Sequence, residues 1–377
     1  MQRVDALVVG AGPAGSATAL HLARAGARVL LVDKQRFPRD KPCGGGLTGR
    51  ALRHAPCDVG PVVEHEVDRF ELRLRYRRRF VRRSEAPLIL MTQRRRLDAF
   101  LAEQAALAGA DFRDGVTVED LTVGPDGVEA TVGGGRVRAA AAVGADGANG
   151  VTARAAGIEP NAVRGVALEG NVAYGEVSSD RYAGRAVVEL GAVPGGYGWV
   201  FPKADHANVG VGGWPAEGPR IRDHLRRLCA AHGIDPARLT DVRGHRLPMR
   251  RAGSPAARGR VLLVGDAAAL VDPLSGDGIY EAFVSAELAS EAILDGHFDE
   301  YAPRLEAALG PHAGASWAAK AALDRFPGVC WAIAGIPRVF DVVAGLLRGD
   351  VAHPNEARGL ARPPLRLIAR LARVSGS

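Results

Sequence analysis

The sequence predicts a mixed α/β (α+β) fold: a domain built on a parallel sheet, an antiparallel-sheet domain set into it, and a helical C-terminal region. Three observations lead there. An apolar run, Val4 to Val9, stops at the glycine-rich turn GAGPAG and is followed by a helical stretch. Two more runs of small or apolar residues, Ala139 to Val143 and Val261 to Val264, likewise end in glycine and aspartate. Between them lie alternating strand-like segments, among them PGGYGWVFPK at 194–203. On this pattern the first domain is discontinuous, taking residues 1–62, 85–160 and 256–300. The antiparallel sheet takes 63–84 and 161–255, and 301–377 is helical.

The first element reads as a buried parallel strand. Gly10, Gly12 and Gly15 then fall in G-x-G-x-x-G spacing, a helix runs through Ala25, and Gly26 ends it. A second strand, Arg28 to Val32, carries Asp33 at its tip, 18 residues beyond Gly15. Gly10 permits the tight turn, Gly12 lets backbone approach a pyrophosphate, and Gly15 lets the helix pack closely. The helix N-terminus offers free N–H groups to phosphates, and an acid at position 33 accepts from a ribose hydroxyl while disfavouring a 2′-phosphate. The chain is therefore expected to hold a dinucleotide, and that dinucleotide is not NADP.

Two later strands return to the same crevice, one delivering Asp146 and Gly147, the other Gly265 and Asp266. Pro273, Gly276 and Gly278 then form a loop without bulky side chains, ahead of a helix from about Ile279 to Leu294. Only one G-x-G-x-x-G motif is present, so a nicotinamide donor would bind transiently, without a motif of its own.

Aromatic residues make up 5% of the chain, yet Tyr197, Trp199 and Phe201 occupy every second position of one short segment. In a strand they share one face, with Gly198 and Val200 on the other and Pro194 and Pro202 as brackets. The spacing alone is compatible with a core ladder or with the wall of a site.

The remaining signals bound the setting. The 377 residues carry a net charge of +7, and Cys43, Cys57, Cys229 and Cys330 show no CxxC spacing, which fits a reducing compartment. The N-terminal apolar run is too short for a signal peptide. The longest apolar stretch, Cys330 to Leu347, is interrupted by Pro337, Arg338 and Asp341. A cytoplasmic protein is expected. The basic segment Arg69 to Ser84 alternates as one half-buried strand, its outer face either simply solvated or attracting lipid phosphate. Pro363 to Val374 reads as a basic amphipathic helix, lying on the inner membrane face or docked on the protein. No nucleic-acid recognition pattern accompanies these arginines, so nucleic acid is not expected as a partner.

The paired Gly-Asp strand ends, in this chain order, resemble the FAD-binding pattern of the p-hydroxybenzoate hydroxylase superfamily. Within it, PGGYGWVFP matches the P-x-x-Y-x-W-x-F-P pattern of the geranylgeranyl reductase family, and FPRDKPCGGGLTGR resembles its Cys-Gly-Gly loop. NVGVGG (208–213) and GIYEAFVSA are similar as well, whereas Asp277 stands where that family more often has Glu. The resemblance implies a Rossmann-type FAD-binding domain, a substrate domain carrying the aromatic row, and reduction of carbon–carbon double bonds in an isoprenoid chain. It implies FAD contacts at Gly10, Gly12, Ala14, Gly15, Asp33, Cys43, Gly44 and Gly46, and at Arg94, with Arg95 and Arg96 leaving the register open by one. It extends these contacts to Val118, Asp146, Gly265, Asp266, Pro273, Gly276, Gly278 and Ile279. Tyr197 and Trp199 would contact the hydrocarbon, each aromatic adding ~0.5–1.5 kcal/mol beyond burial. Cys43 would donate a proton or tune the flavin, or serve only as a small turn residue. Electrons would come from NAD(P)H or from reduced ferredoxin as redox partner. A flavin monooxygenase on the same fold is the alternative. Halogenases of the superfamily look like W-x-W-x-I-P at the aromatic segment and use a lysine, and none lies between 42 and 202 here.

Overall fold

A computed structural model describes residues 1–356 and 358–374. The Ala357 and 375–377 portions of the expected C-terminal helical region lie outside the described residues. Its first sheet has a parallel centre: β18 (Val261–Leu263), β11 (Gly135–Gly144), β1 (Gln2–Val9), β2 (Val29–Asp33) and β8 (Asp111–Asp114) lie side by side in that order. Short antiparallel additions complete it, β17 (Ala257–Arg258) on β18 and the hairpin of β9 (Val118–Gly124) and β10 (Gly127–Val132) on β11. The central strands are apolar throughout because both faces are covered.

One covering layer is α1 (Pro13–Arg24), packed against α6 (Ile279–Asp295). Both helices bury small residues at their contact, so their backbones approach closely. Ser290 Oγ donates to Ala286 O within α6 and, at 3.4 Å, to Thr18 O of α1. The other early helices are α2 (Gly49–Arg53), α3 (Arg94–Leu107) and α4 (Thr152–Ala155). A small antiparallel sheet of β3 (Gly46–Thr48), β7 (Ile89–Met91) and β4 (His65–Val67) joins this domain to the next.

The second large sheet has the order β16 (Thr240–Arg250), β12 (Ala162–Ala173), β15 (His206–Gly213), β14 (Tyr197–Pro202), β13 (Arg185–Leu190), β5 (Arg69–Leu74) and β6 (Arg78–Arg83). Only the β13–β5 pairing in it is parallel. Val200, Val209 and Val211 point to one face and pack under α5 (Ile221–His232) through Leu225, Leu228 and Cys229. The opposite face meets the first domain and the C-terminal helices.

The segment expected as one strand, Arg69 to Ser84, is a hairpin. Arg75 and Tyr76 turn the chain at positive φ (49° and 61°), and the Tyr76 N–H donates to Glu189 Oε1 at 2.7 Å. Its arginines do not form a simple solvated face either. Arg73, Arg79 and Arg185 surround the buried Glu71, and Arg73 also pairs with Glu189 at 3.4 Å.

The C-terminal region is helical as expected: α7 (Tyr301–Arg325), α8 (Pro327–Ala334), α9 (Pro337–Arg348) and α10 (Arg362–Val374). Pro337 divides the apolar stretch into two helices bent by 88°, and among the described residues no single helix is long and apolar enough to cross a membrane. The apolar side of α10 is turned inward, with Leu365 and Ile368 against Ile333 and Val339, while Arg366 and Arg370 are exposed. Trp331 of α8 donates to Leu72 O and stacks on Phe80, so this region closes over the hairpin.

Tyr301, fully buried at the start of α7, donates its hydroxyl to Leu263 O at 2.6 Å. Tyr301→Phe is expected to lower stability by about 1–2 kcal/mol with fold and absorbance unchanged, measured by denaturant titration, because the β18 carbonyl loses its buried donor.

Candidate active site

The Gly10–Gly15 turn lies where the sequence puts it, at the end of β1. A Cβ at Gly15 would overlap the Gly10 carbonyl, so the turn and helix need glycine there. Asp33 at the end of β2 turns back on the loop: its Oδ2 accepts from the Ala11 N–H at 2.9 Å and its Oδ1 from the Gln35 N–H. Gly12 is the N-cap of α1 and no side chain caps the helix. Instead two guanidiniums face it, Arg39 and Arg94, at 3.6 and 3.8 Å from where a Gly12 Cβ would be. Arg94 is buried and pairs with Asp98 by two bonds, 2.6 and 2.7 Å, while Arg39 joins the same carboxylate at 2.8 Å. Arg95 is exposed and Arg96 reaches Glu64, so of these three arginines Arg94 is the one beside the glycine turn.

The later strands close the crevice. Gly265, at positive φ after β18, packs on α1: a Cβ there would come within 2.9 Å of Ala14 Cβ. The half-buried Asp266 carboxylate meets Lys41 Nζ at 2.8 Å and His245 Nε2 at 3.6 Å. Burial pushes this carboxyl upward, but Lys41 and His245 outweigh it and hold Asp266 well below the usual carboxylate range. Gly278 stands beside Asp266 and is the N-cap of α6, again without a side-chain cap. Pro273 and Gly276 shape the loop before it, and Ile279 N–H is taken by Asp277 Oδ1 at 3.0 Å.

Two expected contacts differ in kind. The Asp146 carboxylate does not face the crevice. Its Oδ2 accepts from Val151 N–H, Thr152 N–H and Thr152 Oγ1, capping α4, and only its backbone adjoins Gly10. Val118 is a core residue of β9, paired with Val132; it stays near the Asp33 end of β2 through Val116, whose N–H donates to Asp33 O.

The aromatic row forms as the alternation predicts. Trp199 stands between Tyr197 and Phe201 with ring centroids 5.9 and 6.3 Å away. Register explains its room: Trp199 pairs with Gly210 and Tyr197 with Gly212, and a Cβ at Gly210 would overlap the indole. The row bridges the two loops of the first domain. Tyr197 Oη donates to Ser275 O in the loop before α6, and Phe201 lies against Gly44, where a Cβ would be 2.9 Å from its ring. Burial raises the Tyr197 phenol well above its ordinary value.

Cys43 leads the second of these loops. Its Sγ accepts from Gly45 N–H at 3.3 Å and its own N–H donates to Glu169 Oε1 at 2.7 Å. Gly46 opens β3, with no room for a Cβ beside Ile89. Lys203, directly after the aromatic strand, is buried and ties the loop to β7 by donating to Gly44 O at 2.5 Å and Thr92 O at 2.7 Å. Sequence reading named none of Lys41, Lys203, Glu169 and His245 as site residues. A lone lysine after PGGYGWVFP and a lone acid inside VALEGNVA were the available signals.

Burial brings the Lys203 ammonium down to about 8, against attraction from Cys43, Glu169 and Glu64. The unfolded chain keeps that proton up to the ordinary lysine value near 10.5, so the folded state gains stability as pH rises from 8 towards 10.5. The difference in unfolding free energy between wild type and Lys203→Met should grow through that window, by up to about 1.4 kcal/mol per pH unit. A pH-independent difference would contradict the buried placement of the amine.

The cradle fits an FAD-sized dinucleotide: the uncapped α1 N-terminus and two guanidiniums face a glycine-lined crevice, and the α6 N-terminus, its first N–H held by Asp277, stands at the other end. Comparison with known proteins agrees. Residues 3–286 match the FAD binding domain family. The chain is 32% identical to a menaquinone reductase of Mycolicibacterium smegmatis over 96% of this chain and 95% of that one. It is 32% identical to digeranylgeranylglycerophospholipid reductase 1 of Methanopyrus kandleri over 77% and 80% of the two chains. A geranylgeranyl bacteriochlorophyll reductase-like protein of Thermoplasma acidophilum superposes with a TM-score of 0.77 at 24% identity, covering 98% and 96%. The ordered glycine turn, the Asp266 loop and the ringed strand thus have a common origin: this chain belongs to the geranylgeranyl reductase-like family of FAD-binding proteins and is an FAD-dependent oxidoreductase.

Proposed function

We propose that the protein reduces carbon–carbon double bonds in the isoprenoid chain of a lipid, quinone or prenyl diphosphate. One observation carries this reading: three aromatic rings, on a floor of Gly210 and Gly212, span the gap between the Cys43–Gly46 loop and the loop that leads into α6. Such a surface offers contact area and ring faces to a hydrocarbon while offering few polar partners. A prenylated quinone is the first substrate to try, since the relative named menaquinone reductase matches almost the whole chain.

FAD, when reduced by NAD(P)H or ferredoxin, supplies a hydride to one alkene carbon. The chain's own residues hold and shield it. Gly12 and the α1 N-terminus receive the pyrophosphate beside Arg39 and Arg94, and Asp33 accepts from the ribose. Gly278 and Ile279 at the α6 N-terminus would stabilise negative charge at the far end by roughly 0.3–2 kcal/mol, and the Asp266 carboxylate would accept from a hydroxyl of the cofactor. Trp199 is 8% exposed, and with Tyr197 and Phe201 it keeps water from the alkene. Cys43 presents a thiol at the opening of the loop that Phe201 covers. The exposed arginines of α10 and the tip between α8 and α9 give the protein a route to peripheral membrane contact.

Anaerobic reduction of the purified flavoprotein, followed by mixing with prenylated quinone, prenyl lipid or prenyl diphosphate, tests the reading. Re-oxidation by one of them, with a product two hydrogens heavier, is expected; a product heavier by one oxygen in air would instead mark a monooxygenase. Trp199→Ala should retain FAD and weaken prenyl-substrate affinity about 10-fold. Cys43→Ala should retain FAD and slow the single-turnover reaction with alkene at least about 10-fold, and an unchanged rate would remove Cys43 from the chemistry.

A further inference from the structure

The sheet face that carries the aromatic row also carries one carboxyl group. Across the strands, Trp199 of β14 pairs with Gly210 of β15, Gly210 with Glu169 of β12, and Glu169 with Arg243 of β16. Directly paired residues project to the same side of a sheet, so Glu169 shares the face of the rings. Adjacent strands lie about 4.8 Å apart, and the indole covers Gly210, the one residue between Trp199 and Glu169. Glu169 is 9% exposed. It reaches the Cys43 loop through its bond from the Cys43 N–H.

We propose that Glu169 is the proton donor to the substrate double bond. This rests on the alkene-reductase reading above. Hydride addition to an isolated alkene leaves an electron pair on the other carbon, so the reaction needs an acid there. The balance is complete with the groups named. The hydride, with its electron pair, comes from the reduced flavin and forms a C–H bond at one alkene carbon. The π pair takes the Glu169 proton at the other, forming the second C–H bond as the O–H bond breaks. The flavin is left oxidised and Glu169 as carboxylate.

The surroundings favour the protonated form of this carboxyl more than water would. Burial raises its pKa, working against the Cys43 N–H, Lys203 and the Asn208 amide, and Asp40 raises it further. Asn208 is itself held between Trp199 Nε1 (2.7 Å) and Asn171 (3.0 Å), which fixes the polar edge of the site. On the outer side Arg243 pairs with Asp40 at 3.3 Å, both of them exposed. Solvent at that edge returns the proton after each turnover. Cys43 and Lys203 from the loop side, Asn208 from β15 and Asp40 from the solvent side are the groups that set its titration, and Arg243 is its cross-strand neighbour on β16.

Two measurements test this. In the pre-reduced holoprotein, Glu169→Gln should leave FAD content and the rate of dithionite reduction unchanged but slow re-oxidation by the prenyl substrate about 100-fold or more. The wild-type rate should fall as pH rises through the raised pKa, and the residual Glu169→Gln rate should be flat. Glu169→Asp should recover part of the rate and restore the pH dependence, which a merely structural glutamate would not do. Equal rates for wild type and Glu169→Gln, or the same pH profile, overturn the proposal. The second measurement needs neither flavin nor substrate. The infrared difference between wild-type and Glu169→Gln apoprotein should contain a protonated carboxyl band that disappears as pH rises, shifted in Glu169→Asp. Absence of that band overturns the donor assignment independently. A wild-type flavin that no prenyl substrate re-oxidises counts instead against the alkene-reductase reading.

Discussion

The site depends on a steric constraint in one pair of strands. The central ring of the row, Trp199, can lie flat on β14's face only because β15 offers it glycine at Gly210. A side chain at Gly210 would lift the indole off the sheet. With its centre lifted, the row would no longer meet both Ser275 and Gly44, and the two loops of the first domain would lose their common support. The pleat supplies the shared face and the glycine supplies the depth.

Electrostatics join what the chain order separates. Lys41 and Asp266 are 225 residues apart, yet their half-buried pair fixes the Cys43 loop against the turn after β18. Asp98 performs a similar service for Arg39 and Arg94, so both guanidiniums are held beside the glycine turn before any ligand arrives. Buried pairs of this kind contribute little net stability against desolvation, and their value here is positional. The discontinuous domain is fastened at the places where it must be exact in shape.

Local signals made part of this legible from sequence. The glycine turn, Asp33 and α6 each rest on residues a few positions apart, and the aromatic row rests on a period of two. The Cys43–Glu169 and Gly44–Lys203 contacts span 126 and 159 residues, and nothing in the spacing of single polar residues reveals them. The Arg69–Ser84 hairpin was hidden because its turn uses Arg75 and Tyr76, without glycine or proline, and is held at positive φ by the distant Glu189. Asp146 lies at the strand end where expected, and which way its carboxylate turns was not legible: the nearby N–H groups at the start of α4 claim it.

The beginning of the aromatic strand is gripped from outside. Asp324 of α7 accepts from the Gly195 N–H, Lys320 donates to the Gly195 carbonyl, and Lys320 also stacks over Trp214, which bonds Asp324. Both main-chain groups of a single hinge glycine therefore answer to one C-terminal helix. Natural variation in that helix would re-aim the rings through the backbone while every residue of the row stays the same.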